Sequence, residues 1–207
     1  MIRVQPQPEP QSFDVSVRHP GRRFLRSHPH PTGEQWKRAS FWRACLSDLY
    51  EAYEGVCAYC AEWIPLTTGE ASVDHFVPKS LRPPWAYEWH NLRLAARYYN
   101  TLKGEATSVL DPFALGPDWF VLDVPSLQLR PNDALNADEA TQVWETIGVM
   151  QLNGERAIHS RSRWIRDYCS DSISYEYMKR NAPFIAYELE RQGLRQSIKA
   201  IVGKAMG

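Results

Sequence analysis

The chain reads as an α+β protein, with a small mixed segment in the middle and helices filling the carboxyl-terminal third. Three observations carry that reading. Residues 36–53 repeat apolar side chains at i, i+3, i+4. Two β-type runs flank a Pro-Ser turn near residue 125, and helical periodicity returns three times beyond residue 136. With 43% hydrophobic residues, including eight Trp, ten Tyr and seven Phe, the chain has enough apolar surface for a real core, which excludes wholesale disorder.

Taken in order, residues 1–34 carry six prolines, so a long helix is excluded there. The expectation is an extended arm packing over the body, with a short strand at Phe13–Val17. A helix is expected from Trp36 to Tyr53, started near Thr32–Gly33 and stopped at Gly55, with Trp36, Ala39, Trp42, Cys45, Leu46, Leu49, Tyr50 and Tyr53 on one face. Residues 56–104 hold the densest chemistry. Loops are marked by Asp111–Pro112–Phe113 and Gly116–Pro117, and a hairpin by Trp119–Val124 and Leu127–Leu129. Asn136 or Asp138 caps a helix to Met150 with Val143, Trp144 and Ile147 inward. Asn153–Gly154 makes a turn, a long helix runs from Glu155 to Asn181, and Pro183 precedes a last helix from Phe184 to Val202. This divides the chain into an arm and helix (1–55), a compact core (56–110) and a hairpin with helical extension (111–207).

Charge sharpens the division. Lys+Arg and Asp+Glu both number 24, so the chain is formally neutral, which argues against a generic polyanion binder. The average hides a gradient: residues 1–43 hold eight basic and three acidic side chains, and residues 44–111 hold five and nine. A basic arm beside an acidic middle suits a cation site next to an anionic polymer. A solvated tail with spare arginines explains the charge equally well. Arg156, Arg161, Arg163 and Arg166 form a second basic stripe, for which a solvated helix face is the default. No apolar run approaches the roughly 18 residues of a membrane span, so no membrane association is expected. Without a secretory h-region at the amino end, the expected location is cytoplasmic. The four cysteines are then thiols or metal ligands rather than a disulfide framework.

The chemistry lies in four short words: Cys57-Ala-Tyr-Cys60, Val73-Asp-His-Phe-Val-Pro-Lys79, Trp89-His-Asn-Leu92 and Tyr99-Asn-Thr-Leu-Lys-Gly104. Each alone is weak, but their order and spacing are specific. Over residues 56–105 the chain resembles the HNH endonuclease family, in the variant whose pattern falls here on His75, Asn91 and Asn100. The resemblance implies a ββα-metal core, a strand pair followed by one helix, that hydrolyses DNA phosphodiester bonds. In that reading His75 is the general base, Asp74 and Asn100 hold one Mg²⁺ (or Mn²⁺), and Asn91 positions the loop. Lys103, Lys79 and His90 are candidate nucleic-acid contacts.

The residue types suit that chemistry. A neutral imidazole accepts a water proton at physiological pH. Mg²⁺ prefers carboxylate, carbonyl and water oxygens, which Asp74 and the Asn100 amide supply. Adjacent residues on a strand point to opposite faces, so a strict strand would keep Asp74 and His75 from meeting one metal. The resemblance implies a twist there, with the carboxylate on the cation and the imidazole facing the scissile phosphate. The bland alternative is a buried Asp–His–Asn hydrogen-bond cluster. The chain departs from many family members in zinc: where they carry a second Cys pair, it has Ala96 and Tyr99. Cys57 and Cys60 alone cannot close a tetrahedral site, so structural zinc is not expected and the pair reads as buried thiols on a knuckle. Distant ligands (Cys45, Cys169 or a histidine) or a disulfide are the alternatives.

A softer resemblance, in layout and short words, is to the HNH nucleases of Septu-type and retron-associated anti-phage systems. It implies a bacterial defence role and an ATPase partner protein. Two other functions stay open: a non-catalytic module that binds nucleic acid or a partner, and a nuclease acting on RNA such as transfer RNA.

Overall fold

The computed structural model describes residues 1–68 and 70–199. The chain is mixed α+β and forms two compact units. One comprises Gln5–Ala58 and Ile64–Thr107. The other comprises Met1–Val4, Tyr59–Trp63 and the residues from Ser108 onward. Among the described residues, no helix is long and apolar enough to cross a membrane.

The first unit opens with a surprise. Phe13–Val17 is not a strand: a π-turn over Asp14–Arg18 runs directly into helix α1, His19–Ser27. Phe13 and Val17, four residues apart, are fully buried while Val15 is 76% exposed. The alternation at 13, 15 and 17 was therefore two helical positions with an exposed residue between them. Pro20 does not oppose this, because it occupies the first turn of α1, where no intrahelical N–H is needed. Gly21 lets α1 pack closely: a Cβ there would lie 2.1 Å from the Tyr87 ring.

The helix expected over 36–53 is broken. Helix α2 spans Gly33–Arg38, a 3-10 turn spans Phe41–Cys45, and helix α3 spans Leu46–Ala52. Thr32 caps α2, its hydroxyl accepting from the Gln35 N–H while the Gln35 side chain accepts from the Thr32 N–H. The inward face survives the break, since Trp36, Ala39, Cys45 and Leu49 are all buried.

Strand β1, Ala71–His75, pairs antiparallel with strand β2, Leu92–Ala96, with Asp74 opposite Arg93 and His75 opposite Leu92. Between them lie two 3-10 turns, Pro83–Tyr87 and Trp89–Asn91. Helix α4, Arg97–Lys103, follows β2 without a loop and ends at Gly104, whose φ of +48° is the left-handed backbone that glycine tolerates. Helices α3 and α4 both pack on β1 and β2.

The second unit holds the expected hairpin, β3 (Phe120–Asp123) against β4 (Gln128–Pro131), and a set of helices. They are α5 (Ala137–Val149), α6 (Glu155–Cys169), α7 (Tyr175–Asn181) and α8 (Pro183–Arg191). Asn136 caps α5 in a reciprocal box with Glu139. Its buried face is Val143, Thr146 and Ile147; Trp144, expected inward, is 52% exposed. The long helix expected over 155–181 stops at Cys169, because Ser174 caps a new helix by accepting from the Tyr177 N–H. Arg161 leaves the basic stripe: it is buried and donates to the Leu127 and Leu152 carbonyls. Part of the last expected helix, at and beyond residue 200 and including Val202, lies outside the described residues.

Candidate functional site

The site is built on the first unit. Strand alternation sends Asp74 and His75 to opposite faces of β1, and each meets a different set of partners.

Asp74 faces α4. Its carboxylate, 3% exposed, lies 3.4 Å from the Lys103 ammonium. Lys103 also donates to the His75 carbonyl at 2.8 Å, and its side chain is fully buried. Asn100, three residues earlier on the same helical face, donates its amide N–H groups to the Ser72 hydroxyl (3.0 Å) and the Val73 carbonyl (3.2 Å). That carbonyl belongs to the peptide joining Val73 to Asp74, so Asn100 is tied to the strand backbone next to the residue that Lys103 pairs with. With the amide nitrogen committed to β1, Oδ1 is the lone-pair end of the Asn100 side chain. Burial drives the Lys103 pKa down while Asp74 holds it up.

His75 faces the other way. Its imidazole packs edge-on against Trp42, with centroids 4.6 Å apart, and Nε2 lies 3.0 Å from the Ala86 carbonyl oxygen. A carbonyl only accepts, so Nε2 carries the hydrogen and Nδ1 carries the basic lone pair. Burial pushes the imidazole pKa down to about 3, helped by the positive charges of Lys79 and Lys103 and opposed by the Ala86 hydrogen bond. The ring is therefore neutral at physiological pH.

Asn91 closes the segment between the strands. Its side-chain oxygen accepts from the Val77 N–H at 2.8 Å, and its amide donates to the Val77 and Trp85 carbonyls at 3.0 and 3.1 Å. All three bonds tie the loop ends together beside Ala86, so Asn91 fixes the carbonyl that holds His75. Ala86 is the residue that follows Trp85.

The lysines divide. Lys79 is half-buried with its ammonium 5.7 Å from the Trp42 ring centroid, on the imidazole side. Lys103, expected as a phosphate contact, is sealed from solvent and serves Asp74 and the His75 carbonyl instead, with its ammonium 5.7 Å from the Phe76 ring centroid. His90 is exposed and meets Trp85 edge-on at 5.3 Å.

Asp74 and Asn100 offer one carboxylate and one amide oxygen, and this donor chemistry fits a single hard divalent cation better than a soft one. Lys103 forms an ion pair with Asp74 and also repels a second cation, so metal affinity rests on the oxygens that substrate and water add. Among the described residues, no three His, Cys, Asp or Glu side chains gather as a metal site; a pair of one Asp and one Asn would not form such a group. Cys57 and Cys60 are not joined in a disulfide; Cys57, fully buried, accepts weakly from the Ala96 N–H at 3.4 Å, whereas Cys60, expected buried, is only half-buried.

Three contributors escaped the sequence reading. Trp42 stood out only as a core position, and Ala86 acts through its backbone, which leaves no side-chain signal. Arg93 was detectable as a charge inside the apolar run Leu92–Ala96; it is 2% exposed and donates to the His90 and Leu92 carbonyls. Comparison of the chain with protein-family models and with curated proteins finds no match.

Proposed function

We propose that this protein is a metal-dependent endonuclease of the ββα-metal type that hydrolyses phosphodiester bonds in DNA. The observation that supports it best is the pairing of opposed environments at consecutive residues. Asp74 is paired with Lys103 on α4, and His75 is held neutral in one tautomer by Ala86. Hydrolysis of a phosphodiester needs both a proton acceptor for the attacking water and charge compensation at the phosphate.

In this reading His75 Nδ1 takes a proton from water as the water oxygen attacks phosphorus. The imidazolium formed is stabilised by its Nε2–H bond to Ala86, which strengthens as the ring becomes charged. Lys79, on the same side as the imidazole, faces the incoming phosphate as a point charge. Asn91 holds Ala86 in register, so the ring does not swing. Asp74 and Asn100 would hold a Mg²⁺ or Mn²⁺ ion, whose chemistry is to compensate the charge developing on the phosphate and leaving oxygen. The leaving oxygen departs with the bonding pair and is protonated by solvent.

The test is nicking of supercoiled plasmid in Mg²⁺ or Mn²⁺. His75→Ala should lower the rate by several orders of magnitude while the fold persists. Undiminished cleavage by that variant refutes the assignment.

A second reading is favoured by one observation: the Lys103 ammonium already sits beside the carboxylate that a cation would use. On that reading the chain is a non-catalytic nucleic-acid-binding module. A Mn²⁺ titration followed by melting separates the two: the enzyme gains stability from the ion, and Asp74→Ala loses that gain. The narrower proposal of an anti-phage effector with an ATPase partner rests on the resemblance in layout, and recovery of an ATPase with the native protein from its own cells tests it.

A further inference from the structure

A cleft of about 600 Å³ lies on the first unit and is lined by none of the residues of β1. One wall is α1, presenting the exposed Arg22 and Arg26; the other is the Pro83–Tyr87 turn with Trp85, and His90 closes the end. Arg82 lies over the Trp85 ring at 4.5 Å, and His90 meets the same ring edge-on. The one acidic lining residue is Glu88, whose two oxygens are taken by Arg18 at 2.9 Å and Arg22 at 2.8 Å. The cleft is therefore cationic, with an aromatic ring set among basic side chains. That combination suits a sugar-phosphate strand: guanidinium groups meet phosphates and the indole offers a stacking surface.

Its position gives it a use. Trp85 directly precedes Ala86, the residue whose carbonyl holds the His75 ring, and Asn91 ties the Trp85 carbonyl into the same loop. A strand seated against Trp85 is thus one residue away, along the backbone, from the group that orients the base. We propose that this cleft grips the nucleic-acid strand flanking the scissile bond, with Arg22 and Arg26 on its phosphates. The inference rests on the endonuclease reading and adds to it where the substrate runs.

The test uses the full chain carrying His75→Ala, so that probes stay intact, with a fluorescent 20-nucleotide single strand and its duplex. Binding is followed by anisotropy across a series of salt concentrations. Each phosphate contact contributes roughly 0.7 to 0.9 to the slope of log K against log salt. Arg22→Gln/Arg26→Gln should flatten that slope by about 1.4 to 1.8 on at least one probe, and the affected probe identifies the strand form. Arg26→Gln alone, which leaves the Arg22–Glu88 pair intact, should remove about half as much. Arg23→Gln takes the same charge from α1 outside the cleft and should leave the slope unchanged. Unchanged slopes in the double variant, or an equal fall with Arg23→Gln, overturn this inference while leaving His75 in place. A parent that binds neither probe overturns the endonuclease reading with it.

Discussion

Replacing His75 with Gln should make folding of the first unit less sensitive to acid. The neutral imidazole is buried against Trp42 and Ala86, and its pKa falls from 6.5 to about 3 on folding. A histidine depressed in the folded state adds stability above its unfolded pKa. That stability is lost as pH falls from about 6.5 toward 3, because only the unfolded chain takes up the proton. A pH of about 5 lies about 1.5 units below the unfolded ring's pKa of 6.5, worth roughly 2 kcal/mol at about 1.36 kcal/mol per unit. The parent should therefore lose about 2 kcal/mol more than His75→Gln between about pH 7.5 and 5. Urea titrations read by amide-exchange protection of β1 and β2 report this unit directly. Equal losses in the two proteins would show that the ring is hydrated or already charged, and the tautomer argument would fall. The same neutrality predicts a cleavage rate that does not climb through pH 6.5, because the base is already deprotonated there.

Three further outcomes follow from the packing. Lys103→Met leaves the Asp74 carboxylate buried without its ammonium and should cost roughly 3 kcal/mol; adding Asp74→Asn should recover part of that, read by urea denaturation. Asn91→Ala strands the half-buried Val77 N–H and releases both loop carbonyls, so it should cost roughly 2 kcal/mol and speed hydrogen exchange at Val77. Gly21→Ala drives a methyl into the Tyr87 ring, which is pinned by its hydroxyl on the Ala39 carbonyl, and should lower stability by about 1–3 kcal/mol in a melting assay.

Much of the site was legible because its residue types are chemically scarce. An Asp-His pair, two asparagines and a lysine at fixed spacing admit few shared purposes, and α4 brings Asn100 and Lys103 to one face as three-residue spacing requires. The hairpin turn and the caps at Thr32 and Asn136 were legible for a similar reason: each is a local hydrogen-bonding solution that needs no distant partner. The strand reading of Phe13–Val17 failed because a run of five residues satisfies both periods, and the choice fell to whichever partner buried it. The breaks at Ala39–Ser40 and Ser170–Ser174 were missed because apolar spacing continues through them.

Sequence alone determined which side chains have chemistry to offer and which lie three apart on a helix, since both follow from covalent order. Only the tertiary structure decided that Lys103 is buried against Asp74, that Ala86 supplies the carbonyl for His75, and that α1 faces Trp85. Those outcomes depend on which surfaces exclude water from one another, and burial is a property of the whole packed unit rather than of any local stretch.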